Sequence, residues 1–303
     1  MSTRTFREDT VPDLRTVAIV QGPHLGRTRR QMTGRGMLLL GIGTVIAVVY
    51  MLPFYVAIVN SFKTDQDASL HPLALPATWT TAAFSTLFQA SDFGTWAINS
   101  VIVAIFVTLG RIFFDSLAGY ALARLRFPGQ KAVFAGLIAV MAVPGVVLLI
   151  PKFLVINQLG IYDSYAGMIV PLLVDAAGVF IMKNFFESIP ASVEEQAKID
   201  GAGAFRTFWS IVLPMARPAV VTITILSFQG SWNELSHFIV STSSPALTTL
   251  TKGVASLASG ALSAGNQFPI KLAAAFVMTI PVALAFFIFQ KRIMNSSDGA
   301  VKE

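Results

Sequence analysis

Arg111 and Asp115, four residues apart inside an apolar run, are the first residues of this 303-residue chain that could do chemistry. Ionisable groups in hydrocarbon are costly, so they mark either a pairing or a function. At i and i+4 the two share a helix face, and an internal or inter-subunit ion pair is expected ahead of a substrate contact. Asp175 stands alone in a later apolar run, where pairing to another helix and lining a cavity are equal readings. Gln229, Trp232, Asn233 and Glu234 cluster at the end of another. An aromatic face beside hydrogen-bonding side chains suits the apolar ring face and hydroxyls of a sugar, although Trp at that depth is also an ordinary interfacial anchor. Asn99, beside Ser100, reads first as interfacial hydrogen bonding and second as a pathway contact. Enzyme chemistry is missing. There is no Gly-Lys dipeptide for a phosphate-binding loop, and no Gly-x-Ser-x-Gly elbow. His24, His71 and His237 are scattered and cysteine is absent, so neither a zinc site nor a disulfide framework is expected. No catalytic residue, metal or cofactor is assigned.

A second cluster lies in a polar interruption, from Ile189-Pro190 through Pro218. Pro190 cannot continue a helix leaving an apolar run. Ser192 with Glu195 three residues on has the spacing of a capping box, predicting a helix from Val193. Gly201 supplies a left-handed C′ position that ends it. A second short helix over 204–212 is expected to stop at Leu213-Pro214. Val193, Ala197 and the stretch 199–202 offer a small apolar surface rimmed by Glu194, Glu195, Lys198 and Asp200. Such a polar-rimmed knob fits a partner's cleft, and a capped linker lying on its own helices is the plainer reading.

The elements that hold these residues follow from composition. Hydrophobic residues make up 54% and charged ones 13%, with a mean hydropathy of +0.67. A soluble domain carries about 25% charge, and a soluble monomer this apolar would aggregate. The chain therefore belongs in a bilayer. A spanning helix needs about 20 apolar residues, and six runs meet or approach that: 37–59, 96–122, 131–150, 165–182, 218–233 and 272–290. They are apolar all round, unlike the alternating strands of a barrel. With the N-terminus in the cytoplasm, seventeen Lys and Arg fall on the cytoplasmic side and four outside. That bias places both termini inside and makes the net charge of +6 topogenic, with no nucleic-acid partner expected. Residues 1–36 form an Arg-rich cytoplasmic arm, 37–292 the transmembrane domain with its loop at 187–216, and 293–303 a cytoplasmic tail. Outside lie two long segments, 63–95 and 235–268, long enough to be functional: docking of a soluble partner and a passive cap are equal readings.

Glu195-Gln196-Ala197, Gly201 six residues after the glutamate, and Ile211-Val212-Leu213-Pro214 resemble the EAA loop of ABC-importer permeases, with every spacing kept and Gln196 in place of the first alanine. Gly119-Tyr-Ala-Leu-Ala-Arg124 with Arg126-Phe-Pro-Gly129, Trp232-Asn233-Glu234, and Phe289-Gln-Lys-Arg292 resemble the carbohydrate-uptake branch, the maltose-transporter type. The resemblance runs from about residue 37 to the end. It implies an all-α integral membrane protein of the type I importer permease fold, with six transmembrane helices. Its implied partners are a second homologous permease, a cytoplasmic ABC ATPase dimer that alone hydrolyses ATP, an extracytoplasmic substrate-binding protein and the lipid bilayer. The implied cargo is a sugar, with glycerol phosphate or a polyol as the neighbouring alternative. Glu194, Glu195, Ala197, Asp200, Gly201 and Ala202 would then couple to the ATPase. Gln229, Trp232, Asn233, Glu234, Asp175 and Asn99 are the pathway candidates. An ion-gradient secondary transporter and a non-transporting scaffold are the rivals from other classes; the first often shows inverted repeats, and none is evident between 37–150 and 165–292.

Overall fold

The computed structural model describes residues 34–258 and 267–298, and among them every regular element is helical. The arm up to residue 33, residues 259–266 of the second outer segment, and the tail from 299 lie outside the described residues. Two compact units divide between Met51 and Leu52. In the first, the described residues are the opening part of α1 (Gly34–Ser61), apolar on every face and exposed, as a helix solvated by lipid is.

The second unit has its own logic. The chain leaves α1 through a tightly held turn, where the buried Lys63 Nζ donates to the His71 carbonyl at 2.7 Å. Two short helices follow, α2 (Asp65–Leu70), capped by Thr64, and α3 (Ala82–Ala90). Next comes α4 (Phe93–Arg124), the 32-residue rod against which the fourth and fifth spans pack. Phe127-Pro128-Gly129 turns the chain, with Gly129 at φ +83°, into α5 (Gln130–Met141). Pro144 interrupts that span, and α6 (Leu149–Gln158) leaves at 105° to α5. The fourth span is interrupted too: α7 (Tyr165–Ile169), capped by Ser164, runs into a 3-10 turn over Val170–Leu172 around Pro171, and α8 (Ala176–Ser188) starts afresh after Asp175. After Pro190 come α9 (Ala191–Ile199), α10 (Ala204–Thr207), a π-helical turn at Phe208–Val212, and α11 (Leu213–Met215). The second short helix thus overruns its expected stop at Leu213-Pro214. A π turn is wider than an α turn and leaves room for a proline ring with no N–H to donate. The bend falls instead at Ala216, where α12 (Arg217–Trp232) departs at 80°. The remaining elements are α13 (Ser236–Ser241), α14 (Leu250–Ala258) and α15 (Phe268–Asp298).

Four helices or helix pairs, Gly36–Ser61, Phe93–Arg124, Tyr165–Ser188 and Phe268–Gln290, are long and apolar enough to cross a membrane, and the two bent pairs raise the number to six. Packing explains why the bent pairs count as crossings. α4 and α8 run parallel: Arg111 meets Leu172, Asp115 meets Asp175, Gly119 lies under Met182, and Arg124 reaches Phe186 and Ile189. Two parallel neighbours need a return crossing between them, and α5 with α6 is the only chain available. α12 runs antiparallel to α4, from Ala219 and Ile223 beside Tyr120 to Trp232 in the cluster of Trp96. The bundle therefore has two ends. Arg124 and the hairpin over 189–216 share one; α2, α3, α13 and α14 cover the other.

Candidate functional site

The hairpin is fastened to the bundle by one guanidinium. Arg124, in the last turn of α4, donates from Nη2 to the carbonyls of Phe186, in the last turn of α8, and Ile189, just beyond it. Its Nε lies 3.0 Å from Glu194 Oε1. With the two side chains 13% and 12% exposed, this is a part-buried pair, the kind that costs much to break because the surviving charge stays desolvated. Glu194 also sits in the first turn of α9, where a carboxylate suits the positive end of the helix. Arg124 entered the sequence reading as a cytoplasmic charge and as the end of a resemblance motif; Pro128-Gly129, which must end the helix just beyond it, was the available signal.

The N-terminus of α9 differs from expectation. The helix starts at Ala191, with Pro190 at the N-cap, and no side chain caps it. Ser192 falls inside the first turn, so the Ser192–Glu195 capping box does not form. The reason is Pro190 itself: at ψ 136° it ends α8 and at once presents its carbonyl to Val193 N, 3.2 Å away. The C-terminus agrees with the sequence in full. Gly201 has φ +77°, Gly201 N donates to Lys198 O at 3.0 Å, and Ala202 N donates to Ala197 O at 2.9 Å, the two bonds of a Schellman motif. Glu195, Asp200 and Gly201 are exposed and Ala202 half-buried, but Ala197 is only 3% exposed and Val193 packs inward against the cluster that holds Tyr120, Phe186 and Phe208. Of the expected apolar surface, Val193 and Ala197 therefore face inward and the stretch from Ile199 remains outside. Ile199, 85% exposed, forms its tip, joined by Phe205, whose ring stacks on Trp209. Both aromatics went unread because they lie beyond the glycine corner. Beside α9, a cleft of about 590 Å³ is lined by Arg126, Gln130, Glu195 and Lys198 together with the Arg124–Glu194 pair.

The pathway candidates separate into structural and open groups. Asn99 is buried and saturated: its Nδ2 donates to Ala246 O (2.8 Å) and Thr248 O (2.9 Å), and its Oδ1 accepts from Tyr165 Oη (2.6 Å). Trp232 is buried with its indole N–H on Met278 O at 3.1 Å, facing α15. Glu234 Oε1 accepts from His237 N at 2.9 Å, holding the start of α13. Asp175 caps α8, its carboxylate accepting from Gly178 N at 3.2 Å. Gln229 and Asn233 are exposed. Asn233 lines a groove of about 350 Å³ with Val254, Ala275, Met278, Thr279 and Val282. Arg111 and Asp115 do not pair with each other. Among the described residues the ion pairs are Arg124–Glu194 and Lys183–Glu187, and each member of the expected pair turns to a different backbone group.

Residues 115–296 match the family described as binding-protein-dependent transport system inner membrane component. The chain is 32% identical over 280 residues to a polygalacturonan/rhamnogalacturonan transport system permease of Bacillus subtilis, covering 88% of this chain and 97% of that one. It is 30% identical over 266 residues to an sn-glycerol-3-phosphate transport system permease of Yersinia pestis (84% and 91%). It is 29% identical over 252 residues to a diacetylchitobiose uptake system permease of Streptomyces coelicolor (82% and 83%). Its fold superposes on a chain from the crystal structure of a bacterial ABC transporter involved in the import of the acidic polysaccharide alginate, with a TM-score of 0.76 at 22% identity over 89% of this chain and 99% of that one. A helical bundle with interrupted spans, a Schellman-capped hairpin at one end and a family match over most of its length together make the conclusion plain: the chain belongs to the binding-protein-dependent inner-membrane permeases, the multi-pass subunits of ABC importers.

Proposed function

We propose that this permease carries a neutral sugar, works beside a second homologous permease, and takes its energy from a separate cytoplasmic ABC ATPase dimer docked on residues 194–202. An extracytoplasmic binding protein delivers the cargo to the end of the bundle covered by α2, α3, α13 and α14. The observation that carries the coupling assignment is the hairpin: a rigidly capped helix that turns Ile199, Glu195 and Asp200 outward while Arg124 holds its base against the bundle. A surface so exposed yet so firmly backed can pass on a push instead of absorbing it. Ala197 supports the site from within.

Two features favour a neutral polyhydroxy cargo over a phosphate ester. The exposed polar groups of the α12 end are the amides of Gln229 and Asn233, which serve hydroxyls as both donors and acceptors. The one cation among the expected intramembrane charges, Arg111, already donates to a backbone carbonyl. Two of the similar permeases are named for carbohydrates and one for glycerol phosphate. The test is purification of the tagged full chain from its native membrane. An ATPase and a second permease in the particle, with ATP turnover raised by the binding protein loaded with a neutral oligosaccharide, bears the proposal out. Uptake by the chain alone in liposomes, driven by an ion gradient, overturns it. Stimulation by glycerol phosphate and not by sugars overturns the cargo alone.

A further inference from the structure

The fourth span is broken at Leu172–Asp175, and the two charges that could have paired on α4 are spent on the two sides of that break. Arg111 Nε donates to the carbonyl of Leu172, the last residue of the upper half, at 2.8 Å. Asp115 Oδ1 accepts from the N–H of Asp175, the residue that caps the lower half, at 3.0 Å. Asp115 is fully buried, and its other oxygen points at Gly178 so closely that a Cβ there would lie 2.1 Å from it. The arrangement follows from geometry. Residues at i and i+4 on α4 are separated by about 6 Å along the axis, and a parallel neighbour broken over the same length presents a carbonyl at one level and an N–H one turn below. The signs are matched as well: a cation at the carbonyl end of the upper half, an anion at the amide end of the lower one.

We propose that Arg111 and Asp115 are a clamp across the break, positioning residues that keep the fourth span interrupted and fix α8 on α4. Arg124 fixes the opposite end of α8 to the same rod, so α8 is held at both ends by one helix. Resting on the permease reading, this makes α4, the lower half of the fourth span and the hairpin a single lever: displacement of α9 reaches the break without being lost in flexure of α8. An ordinary ion pair predicts something different, because a pair survives exchange of its members and a clamp does not. With Asp at 111 and Arg at 115, the carboxylate would face the Leu172 carbonyl and the guanidinium the Asp175 N–H, so both backbone hydrogen bonds would be lost.

The full chain contains no cysteine, so nitroxides on V170C and N184C, either side of the break, report its geometry by pulsed electron paramagnetic resonance in lipid nanodiscs without any partner or cargo. The parent should give one narrow distance. D115N, which keeps an acceptor oxygen, should match it. D115L and the exchanged R111D/D115R should broaden the distribution or shorten it, by about 2 Å for each residue that passes from extended to helical. A narrow, unshifted distance in R111D/D115R or in D115L overturns the clamp. Loss of D115L and R111D/D115R from the membrane while D115N accumulates normally supports it. Loss of D115N too overturns it, since the carboxylate would then be needed for something other than its acceptor oxygen. Because the readout needs no transport, failure here leaves the cargo and the ATPase coupling to stand or fall separately.

Discussion

Single side chains decide how the hairpin is held. Arg124 serves two carbonyls and one carboxylate, and removing it strands all three in a part-buried site. Truncating one partner of such a pair costs up to about 3 kcal/mol. R124A should therefore lower the thermal midpoint of the detergent-solubilised chain clearly, whereas E194Q, which leaves the guanidinium its two carbonyls, should cost about 1 kcal/mol. A double-mutant cycle between them should show coupling, and strictly additive effects would mean that the 3.0 Å approach does no work. A second residue gives a pH signature at the other end of the bundle. Asp163 accepts from Ser243 N and Ser244 N, both at 2.9 Å, and these bonds hold its carboxyl below the usual carboxylate range. Stability from a depressed carboxylate is present above the unfolded value, about 3.9, and is lost as pH falls through the folded one. Amide exchange at Ser243 and Ser244 should be slow and pH-independent from neutrality to about pH 4 after correction for intrinsic rates, then accelerate; in D163N the step should vanish. The sequence marked none of this. Asp163 lies in a short polar turn, and its partners are about eighty residues away, beyond the reach of any local pattern.

At the scale of elements, two glycines do opposite jobs and give opposite predictions. Gly201 has φ +77° and open space around the position a Cβ would take, so its cost on substitution is purely conformational. G201A should weaken the end of α9 by about 1 kcal/mol with packing unchanged. Gly119 has an ordinary backbone, but a Cβ there would sit 2.7 Å from Met182 Cβ and 2.9 Å from Lys183 N. G119A must push α4 and α8 apart, and overpacking of this sort costs about 1–3 kcal/mol. Cysteines on the two helices should crosslink less readily in G119A and as before in G201A; equal effects would refute the distinction. This contrast also marks what was readable. Gly201 announces itself locally, after Ile199-Asp200 and before Ala202, and the structure follows it. The tight approach at Gly119 depends on a helix sixty residues later. The breaks behave alike: Pro190 and the glycine corner were legible, but the fourth span reads as one apolar run because Leu173 and Val174 carry no polar signal, and only Pro171 and Asp175 hint that two helices meet there.

At the scale of the whole molecule, the two ends of the bundle face opposite sides of the membrane. Parallel α4 and α8, with antiparallel α12, put the hairpin and Arg124 at one end and the short helices at the other, whatever the orientation. Charge then chooses. Arg124, Arg126, Lys131, Lys183, Lys198, Arg206 and Arg217 all lie at or near the hairpin end, against Lys63, Lys152, Lys252 and Lys271 at the other. Three of those four donate to backbone carbonyls: Lys63 is buried on the His71 carbonyl, Lys252 Nζ donates to Thr242 O at 2.6 Å with its pKa pushed down by burial, and Lys271 Nζ donates to Ala258 O at 3.3 Å. Seven cations against four favour the hairpin end as the inside one. Single cysteines test it directly in a chain that has none. S192C, on the exposed side of α9, should react with a membrane-impermeant maleimide only in inside-out vesicles, and S243C, exposed beside α13, only in right-side-out ones. In the assembled particle S192C should become slow to label as the ATPase covers it, while S243C should not change. Labelling of S192C in right-side-out vesicles would place the hairpin on the wrong face for any nucleotide-driven partner, and the coupling assignment would go with it.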